Sequence, residues 1–335
     1  MTSPDASRRG EEANEHAMRM MPARIDLRRS RGFGEIITIT FAFVRENFRL
    51  LGRSLLYIVG PPVLVAGLLI EWVSQPLLGG DVYQPYHVGS RMGLILLSTL
   101  FFWGSSILLA AVVNGYIFLY MERGKDGFGI SDVWEETRRN FGTVFTTSFG
   151  IIAISLVLFL PAVFLGGMLA LMGLSLVVAL VWIIAGVYFI GVLTPLFTLR
   201  LYEDVTLGTA ISRCREMVRG HWWETFGILA VTTIVSLVIG VVAGLPTYVI
   251  AIGRQFDPEA FDLTGAALAA SEAFSVLQTV AGTLLYAIPA VAAAFQYFNL
   301  VEKLDGVGMM LRIENIGGAG RGLEDAPVSH EMAGE

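Results

Sequence analysis

Residues Asn140–Leu199 read NFGTVFTTSFGIIAISLVLFLPAVFLGGMLALMGLSLVVALVWIIAGVYFIGVLTPLFTL. These sixty residues contain no Asp, Glu, Lys or Arg. A soluble protein carries a charge on about a quarter of its residues, so this stretch cannot form a water-facing surface. Because one membrane crossing takes about 20 apolar residues, the stretch is long enough for a transmembrane hairpin. We predict arms near Thr146–Met172 and Ser175–Leu199, with the turn at Gly173 or, alternatively, at Gly166-Gly167.

The composition of the whole chain is also that of a membrane protein. Of its 335 residues, 54% are hydrophobic and 16% are charged, and the mean hydropathy is +0.65. Cys214 is the only cysteine, which excludes a disulfide framework and a cysteine-based metal site. The four histidines are scattered without ligand spacing. We therefore expect neither a metal site nor a cofactor.

Further apolar runs predict an all-α polytopic membrane protein with six transmembrane helices. Besides the two arms, the predicted spans are Ser54–Ser74, Met92–Met121, Thr225–Ile252 and Ala273–Leu300. Gly60-Pro61-Pro62 is expected to interrupt the first span, because proline removes a backbone donor. We expect a disordered basic tail over 1–32, a six-helix membrane domain over 33–302 and a mostly disordered tail over 303–335.

Each predicted pair of spans is preceded by an amphipathic helix that we place at the membrane interface. These helices begin near Phe33, Ser131 and Leu207, and each leads to a basic residue, an Asn or His, and an aromatic residue. The last two members of this motif are Asn47-Phe48, Asn140-Phe141 and His221-Trp222. We interpret the pattern as three tandem units of interfacial helix plus transmembrane hairpin. The alternative is convergence, since any such helix entering a bilayer favours basic and aromatic residues at its edge.

The basic residues predict the orientation. One side of the predicted membrane domain carries the N-terminal region through Arg53, then Arg123, Lys125, Arg138, Arg139, Arg200, Arg213, Arg215, Arg219, Lys303, Arg312 and Arg321. The other side carries only Arg91 and Arg254. The positive-inside rule places the basic side, and with it both termini, in the cytoplasm.

Two motifs resemble a large bacterial group of membrane proteins. They are Phe43-Val44-Arg45-Glu46-Asn47-Phe48 and Arg213-Cys214-Arg215-Glu216-Met217-Val218-Arg219-Gly220-His221-Trp222-Trp223, and the end of the last span, Phe295–Glu302, is similar to members of the same group. The group comprises six-helix proteins similar to the membrane domain attached to some glycerophosphodiester phosphodiesterases. The resemblance covers about Phe33 to Gly308 and implies the bacterial inner membrane. Since most such domains have no established activity, it implies a fold rather than a reaction.

The basic clusters on the three amphipathic helices suit anionic lipid headgroups, at about 1 kcal/mol for each basic residue near the surface. The candidate headgroup residues are Arg45, Arg49, Arg138, Arg139, Arg213, Arg215 and Arg219. We expect membrane lipids as partners, and other membrane proteins are candidate partners. Nucleic acid is not expected, because the same charges are required by the topology.

Few polar side chains fall inside the predicted spans. Asn114 should face protein and form an interhelical hydrogen bond, although an amide there could also bind a substrate. Gln278 is the second intramembrane candidate, whereas Gln296 and Asn299 are expected to be solvated at the cytoplasmic edge. Glu71, the one acidic residue in a span, is expected to be an interfacial carboxylate.

The sequence contains no catalytic constellation, so we expect a protein that is not an enzyme. Our first hypothesis is an integral membrane protein that organises lipid or partner proteins at the cytoplasmic face. The alternative is a transporter or channel for a lipid or small apolar solute. Prolines in five of the six predicted spans favour this alternative, because broken helices expose backbone carbonyls that bind ions.

Overall fold

The computed structural model describes residues 30–78, 88–170, 175–257, 263 and 265–306. Within these ranges the chain is helical, and it has no strand. The helices are α1 Phe33–Ile58, α2 Gly60–Leu78, α3 Val88–Arg123, α4 Ile130–Ala170, α5 Ser175–Leu193, α6 Leu196–Glu203, α7 Leu207–Val218, α8 Trp222–Phe256, α9 Gly265–Leu285 and α10 Ala287–Asp305. Most of the two predicted tails lies outside the described residues.

The described helices are those of a multi-pass membrane protein. Five segments are long and apolar enough to cross a membrane, and they are Arg91–Arg123, Ile130–Pro161, Ala179–Glu203, Trp222–Ile250 and Gly265–Asp305. A sixth is present if α1 and Gly60–Val73 of α2 count as one span, which is bent by 55°. The predicted first span, Ser54–Ser74, therefore does not form a straight helix, since its first residues belong to α1.

The charge-free stretch forms the predicted pair of helices, with two corrections. Helix α4 continues through Gly166-Gly167, so the prediction of a turn there is wrong. The two arms are separated by residues 171–174, and the predicted turn at Gly173 lies outside the described residues. The amphipathic segment from Ser131 and the first arm are one helix, because no residue between them stops the i to i−4 hydrogen-bond pattern.

Three helix breaks lie at a proline or up to three residues before one. Val59 separates α1 from α2 just before Pro61-Pro62, and Thr194-Pro195 separates α5 from α6. The third break is at Tyr286, three residues before Pro289. This break places Pro289 in the first turn of α10, where a proline is tolerated because the N–H groups have no helical acceptors. At this break the Ser236 hydroxyl donates to the Leu285 carbonyl at 3.2 Å, which replaces a lost backbone partner.

The buried core lies around α3 and α10. Nearly every residue of α10 from Ala287 to Leu300 is buried, and so is the C-terminal part of α3, over 111–120. Phe43 of α1 is fully buried between them, with its ring edge-on to Tyr116, Tyr120 and Phe295 at centroid distances of 6.1, 5.0 and 5.2 Å. Helices from both ends of the chain therefore meet in one core.

The outer halves of α4 and α5 carry apolar side chains on their exposed surface. Examples on the two arms are Leu156, Val157, Leu160, Phe164, Leu176, Val177, Leu180, Val181, Ile183 and Ile184, all more than half exposed. Such a continuous apolar surface is far larger than soluble proteins expose. Most of the stretch that marks the chain as a membrane protein thus forms its periphery, whereas the end of the stretch, from Val192 to Leu199, contributes to the core.

Candidate functional site

Helix α7 is amphipathic, so it buries one face and presents arginines on the other. Its N-terminus is capped by Thr206, whose hydroxyl oxygen accepts the Thr209 N–H at 3.5 Å. Gly220 follows its end with φ of +87°, a backbone conformation that favours glycine. Ala210, Cys214, Met217 and Val218 are buried, and Arg215, Glu216 and Arg219 are exposed. The buried face fixes α7 on the bundle and leaves the opposite face free to bind.

A cleft of about 880 Å³ lies where α7 meets the end of α5 and the start of α8. Arg215 and Arg219 are four residues apart and line the same wall, together with one acidic residue, Glu216. Among the described residues, neither arginine has a carboxylate within ion-pair distance. We refer to this space, defined by Tyr188, Arg215, Arg219 and Trp222, as the basic-aromatic cleft.

The aromatic wall of the cleft is held in place by several contacts of Trp222. Its indole N–H donates to the Tyr188 carbonyl at 3.2 Å, and its ring is stacked on those of Tyr188 and Phe226. Gly191 of α5 leaves the space that the indole occupies, since a Cβ there would lie 2.5 Å from the indole nitrogen. Trp223 beside it is 78% exposed. Amphipathic rings of this kind favour the headgroup level of a bilayer.

Arg213, the third predicted headgroup residue on α7, points elsewhere. Its guanidinium binds Glu203 at 2.6 Å and Asp305 at 3.0 Å, and Glu203 also accepts the Tyr297 hydroxyl at 3.1 Å. The hydrogen bond that the Arg213 guanidinium donates to the Glu203 carboxylate raises the pKa of the guanidinium above its ordinary value. Arg213 therefore joins α6, α7 and α10, and we do not assign it to the cleft.

The other predicted headgroup arginines are on different surfaces. Arg45 and Arg49 are exposed on α1, and no described cavity includes them. Arg138 and Arg139 line a second cavity, of about 460 Å³, which also holds three acidic side chains. Arg139 binds the buried Glu136 carboxylate at 2.7 Å. That cavity is close to charge balance, whereas two arginines face one glutamate in the basic-aromatic cleft.

The two intramembrane candidates have different surroundings. Asn114 is buried, accepts the Thr198 hydroxyl at 2.8 Å and donates to the Ala110 carbonyl at 2.9 Å. The prediction that it links helices is therefore confirmed. Gln278 instead lines a groove between α8 and α9. Glu71 is half-buried on α2.

The prediction that Gln296 and Asn299 are solvated is wrong. Both are essentially fully buried, and they belong to one chain of hydrogen bonds. Gln296 donates to the Thr225 hydroxyl at 2.9 Å, Asn299 donates to Gln296 at 3.1 Å, and the Arg31 N–H donates to Asn299 at 2.8 Å. The sequence feature that could have indicated this hydrogen-bonded chain is the spacing of the two amides, which are three residues apart and therefore on one helix face. Hydropathy cannot show whether such a face meets protein or water.

Cys214 lies in the same core as Phe43 and gives a chemical probe of that core. The thiol is fully buried, and burial, followed by the Glu203 carboxylate, raises its pKa to about 12. Because the thiolate is the reactive form, Cys214 should react with thiol reagents only when this core opens.

No known protein family, curated protein or solved structure matches the chain. The resemblance to phosphodiesterase membrane domains therefore stays a prediction.

Proposed function

We propose that this protein is a non-enzymatic inner-membrane protein that binds anionic lipid headgroups in the basic-aromatic cleft and organises lipid, or lipid-bound partner proteins, at the cytoplasmic face. The observation that carries the proposal is the pairing of two exposed arginines, without ion-pair partners among the described residues, with the stacked Trp222. Arginine binds phosphate oxygens with two parallel N–H groups, and the indole packs against the glycerol and acyl region.

The proposal includes the predicted membrane architecture. It has six spans in three units, each with an interfacial helix, and both termini in the cytoplasm. Support comes from the order of the described helices, in which the start of α4 and α7 each lead into two apolar segments, while α1 and α2 together form one bent apolar segment before α3.

Orientation is tested with single cysteines in a Cys214→Ala background. A membrane-impermeant thiol reagent applied to intact cells should label Arg91→Cys and leave Lys125→Cys unlabelled, because the positive-inside rule places the basic loop inside. Labelling of Lys125→Cys alone would reverse the proposed orientation.

Lipid binding is tested with the double variant Arg215→Gln/Arg219→Gln. Native mass spectrometry of the full chain should show preferential retention of phosphatidylglycerol over phosphatidylcholine. At about 1 kcal/mol for each arginine, the variant should bind phosphatidylglycerol about 30-fold more weakly.

The matched control is Arg45→Gln/Arg49→Gln, which removes the same charge at the same spacing from an exposed helix face. It should have a clearly smaller effect, because those arginines line no described cavity. Gly191→Ala keeps every charge but displaces the Trp222 indole, and it should also weaken retention. Equal losses in the two arginine pairs, or equal retention of the two lipids by the unmodified protein, would contradict the proposal.

Transport of a lipid or small apolar solute is the second candidate function. The observation in its favour is that three of the candidate spans contain a helix break, at Val59, Thr194-Pro195 and Tyr286. Against it, the Asn114 amide, which could have bound a substrate, is used in a hydrogen bond between helices. Uptake of a labelled lipid into proteoliposomes would raise this candidate above the first.

A further inference from the structure

A groove of about 410 Å³ lies between α8 and α9, well away from the basic-aromatic cleft. Eight of its twelve lining residues carry a hydroxyl or an amide, and none is charged. It extends along α8 from Ser236 to Thr247, which is about 16 Å at the rise of an α-helix. A polar lining is unusual between two apolar helices of a membrane protein, because apolar side chains would pack well against both the neighbouring helix and lipid.

The hydroxyl groups of the groove present acceptors. Thr279 and Thr283 donate their protons to backbone carbonyls of their own helix at 3.0 and 2.8 Å, and Ser236 shares its proton between the Thr232 carbonyl at 2.9 Å and the Leu285 carbonyl at 3.2 Å. Each oxygen therefore keeps lone pairs that can accept a hydrogen bond from a ligand.

Donors are present in the same space. The Gln278 amide and the Tyr248 hydroxyl line the groove, and the buried Thr247 hydroxyl has no hydrogen-bond partner in the described part of the chain. Gly244 leaves the room that the Gln278 amide occupies, because a Cβ there would fall on the amide nitrogen. The groove thus offers both donors and acceptors, positioned by close approach of the two helices.

The surroundings indicate the chemical class of the ligand. Leu237 and Leu277, beside the groove, are about 60% exposed, so its open side faces lipid. Helix α8 has no charged residue from Thr225 to Gly253. A charged head would be buried there without a counter-charge, at a high free-energy cost.

We infer that this groove binds a neutral lipid whose head carries a free hydroxyl and ester carbonyls, as in a diacylglycerol. The ligand hydroxyl donates to the oxygens of Ser236, Thr279 or Thr283, and its carbonyls accept from Gln278, Thr247 or Tyr248. The acyl chains lie along the exposed aliphatic side chains. This site is independent of the anionic-lipid site.

The test measures retention of dioleoylglycerol by the full chain in detergent. Gly244→Ala, which displaces Gln278, and Gln278→Leu should each lower retention about 5- to 10-fold, the effect of losing about one hydrogen bond. Gly104→Ala on α3 is the matched control, because it makes the same change inside another apolar helix, a Cβ there meets nothing within 4 Å, and Gly104 does not line the groove. It should retain the lipid as the unmodified protein does.

Two further arms separate this proposal from its alternatives. Excess free glycerol should not displace the lipid, and Gly244→Ala should leave phosphatidylglycerol retention unchanged. The proposal is overturned if the unmodified protein does not retain dioleoylglycerol, if glycerol displaces it, or if neither groove variant lowers retention more than Gly104→Ala does.

Discussion

Phe43→Ala is expected to destabilise the bundle by about 2–4 kcal/mol. In a membrane the transfer term is small, because the side chain meets lipid when the helices separate. The loss comes from the cavity, at about 24 cal/mol per Å³, and from three ring contacts worth about 0.5–1.5 kcal/mol each. Since Cys214 lies in the same core, its labelling by a thiol reagent should accelerate about 30- to 1,000-fold.

Phe48→Ala is the matched control for this prediction. Phe48 is on the same helix and in the same sequence motif, but it is 69% exposed. Lipid or detergent fills the space that the lost ring leaves, so stability should hardly change. If both variants label at the same rate, the assignment of Phe43 to the centre of the core is wrong.

Gln296→Leu is expected to destabilise the protein by about 1–3 kcal/mol. It leaves the Thr225 hydroxyl and the Asn299 amide without their partner in a fully buried position. The measurement is thermal unfolding in detergent, which should begin at a lower temperature. Gln278→Leu makes the same chemical change in the half-buried groove and should have a smaller effect.

A double variant tests whether the loss arises from the orphaned partner. Removing Thr225 and Gln296 together, as Thr225→Val/Gln296→Leu, should cost less than the sum of the single changes, because no unpaired hydroxyl remains. Strict additivity would show that the two side chains are not coupled and would contradict the hydrogen-bonded chain.

Local backbone chemistry was predictable where one residue controls it. Gly60-Pro61-Pro62 indicates an interruption, and the chain bends by 55° just before Pro61. Gly166-Gly167 misled us for a related reason. Glycine weakens a helix by only about 1 kcal/mol, and inside a bilayer every backbone group needs an intrahelical partner, so α4 continues.

The candidate site was predictable in part. The sequence identifies α7 as a basic amphipathic helix, and the structure brings Arg215 and Arg219 into one cleft. Arg213 has the same chemistry and lies two residues before Arg215, yet it is paired with Glu203 and Asp305. Glu203 lies ten residues earlier on the adjacent helix α6, but Asp305 is contributed by α10, 92 residues later, so no local pattern indicates that the two carboxylates meet Arg213.

The sequence by itself determined the environment of this protein, which is a lipid bilayer. Sixty residues without a charge, and four further apolar runs, require a bilayer. Only the tertiary structure decided that most of the charge-free hairpin is peripheral and that α3 and α10 form the centre of the core. The physical reason is that lipid and protein interior are equally apolar, so hydrophobicity does not distinguish the two environments of a transmembrane helix. Shape and buried hydrogen bonds, such as those of Phe43 and Gln296, make that distinction.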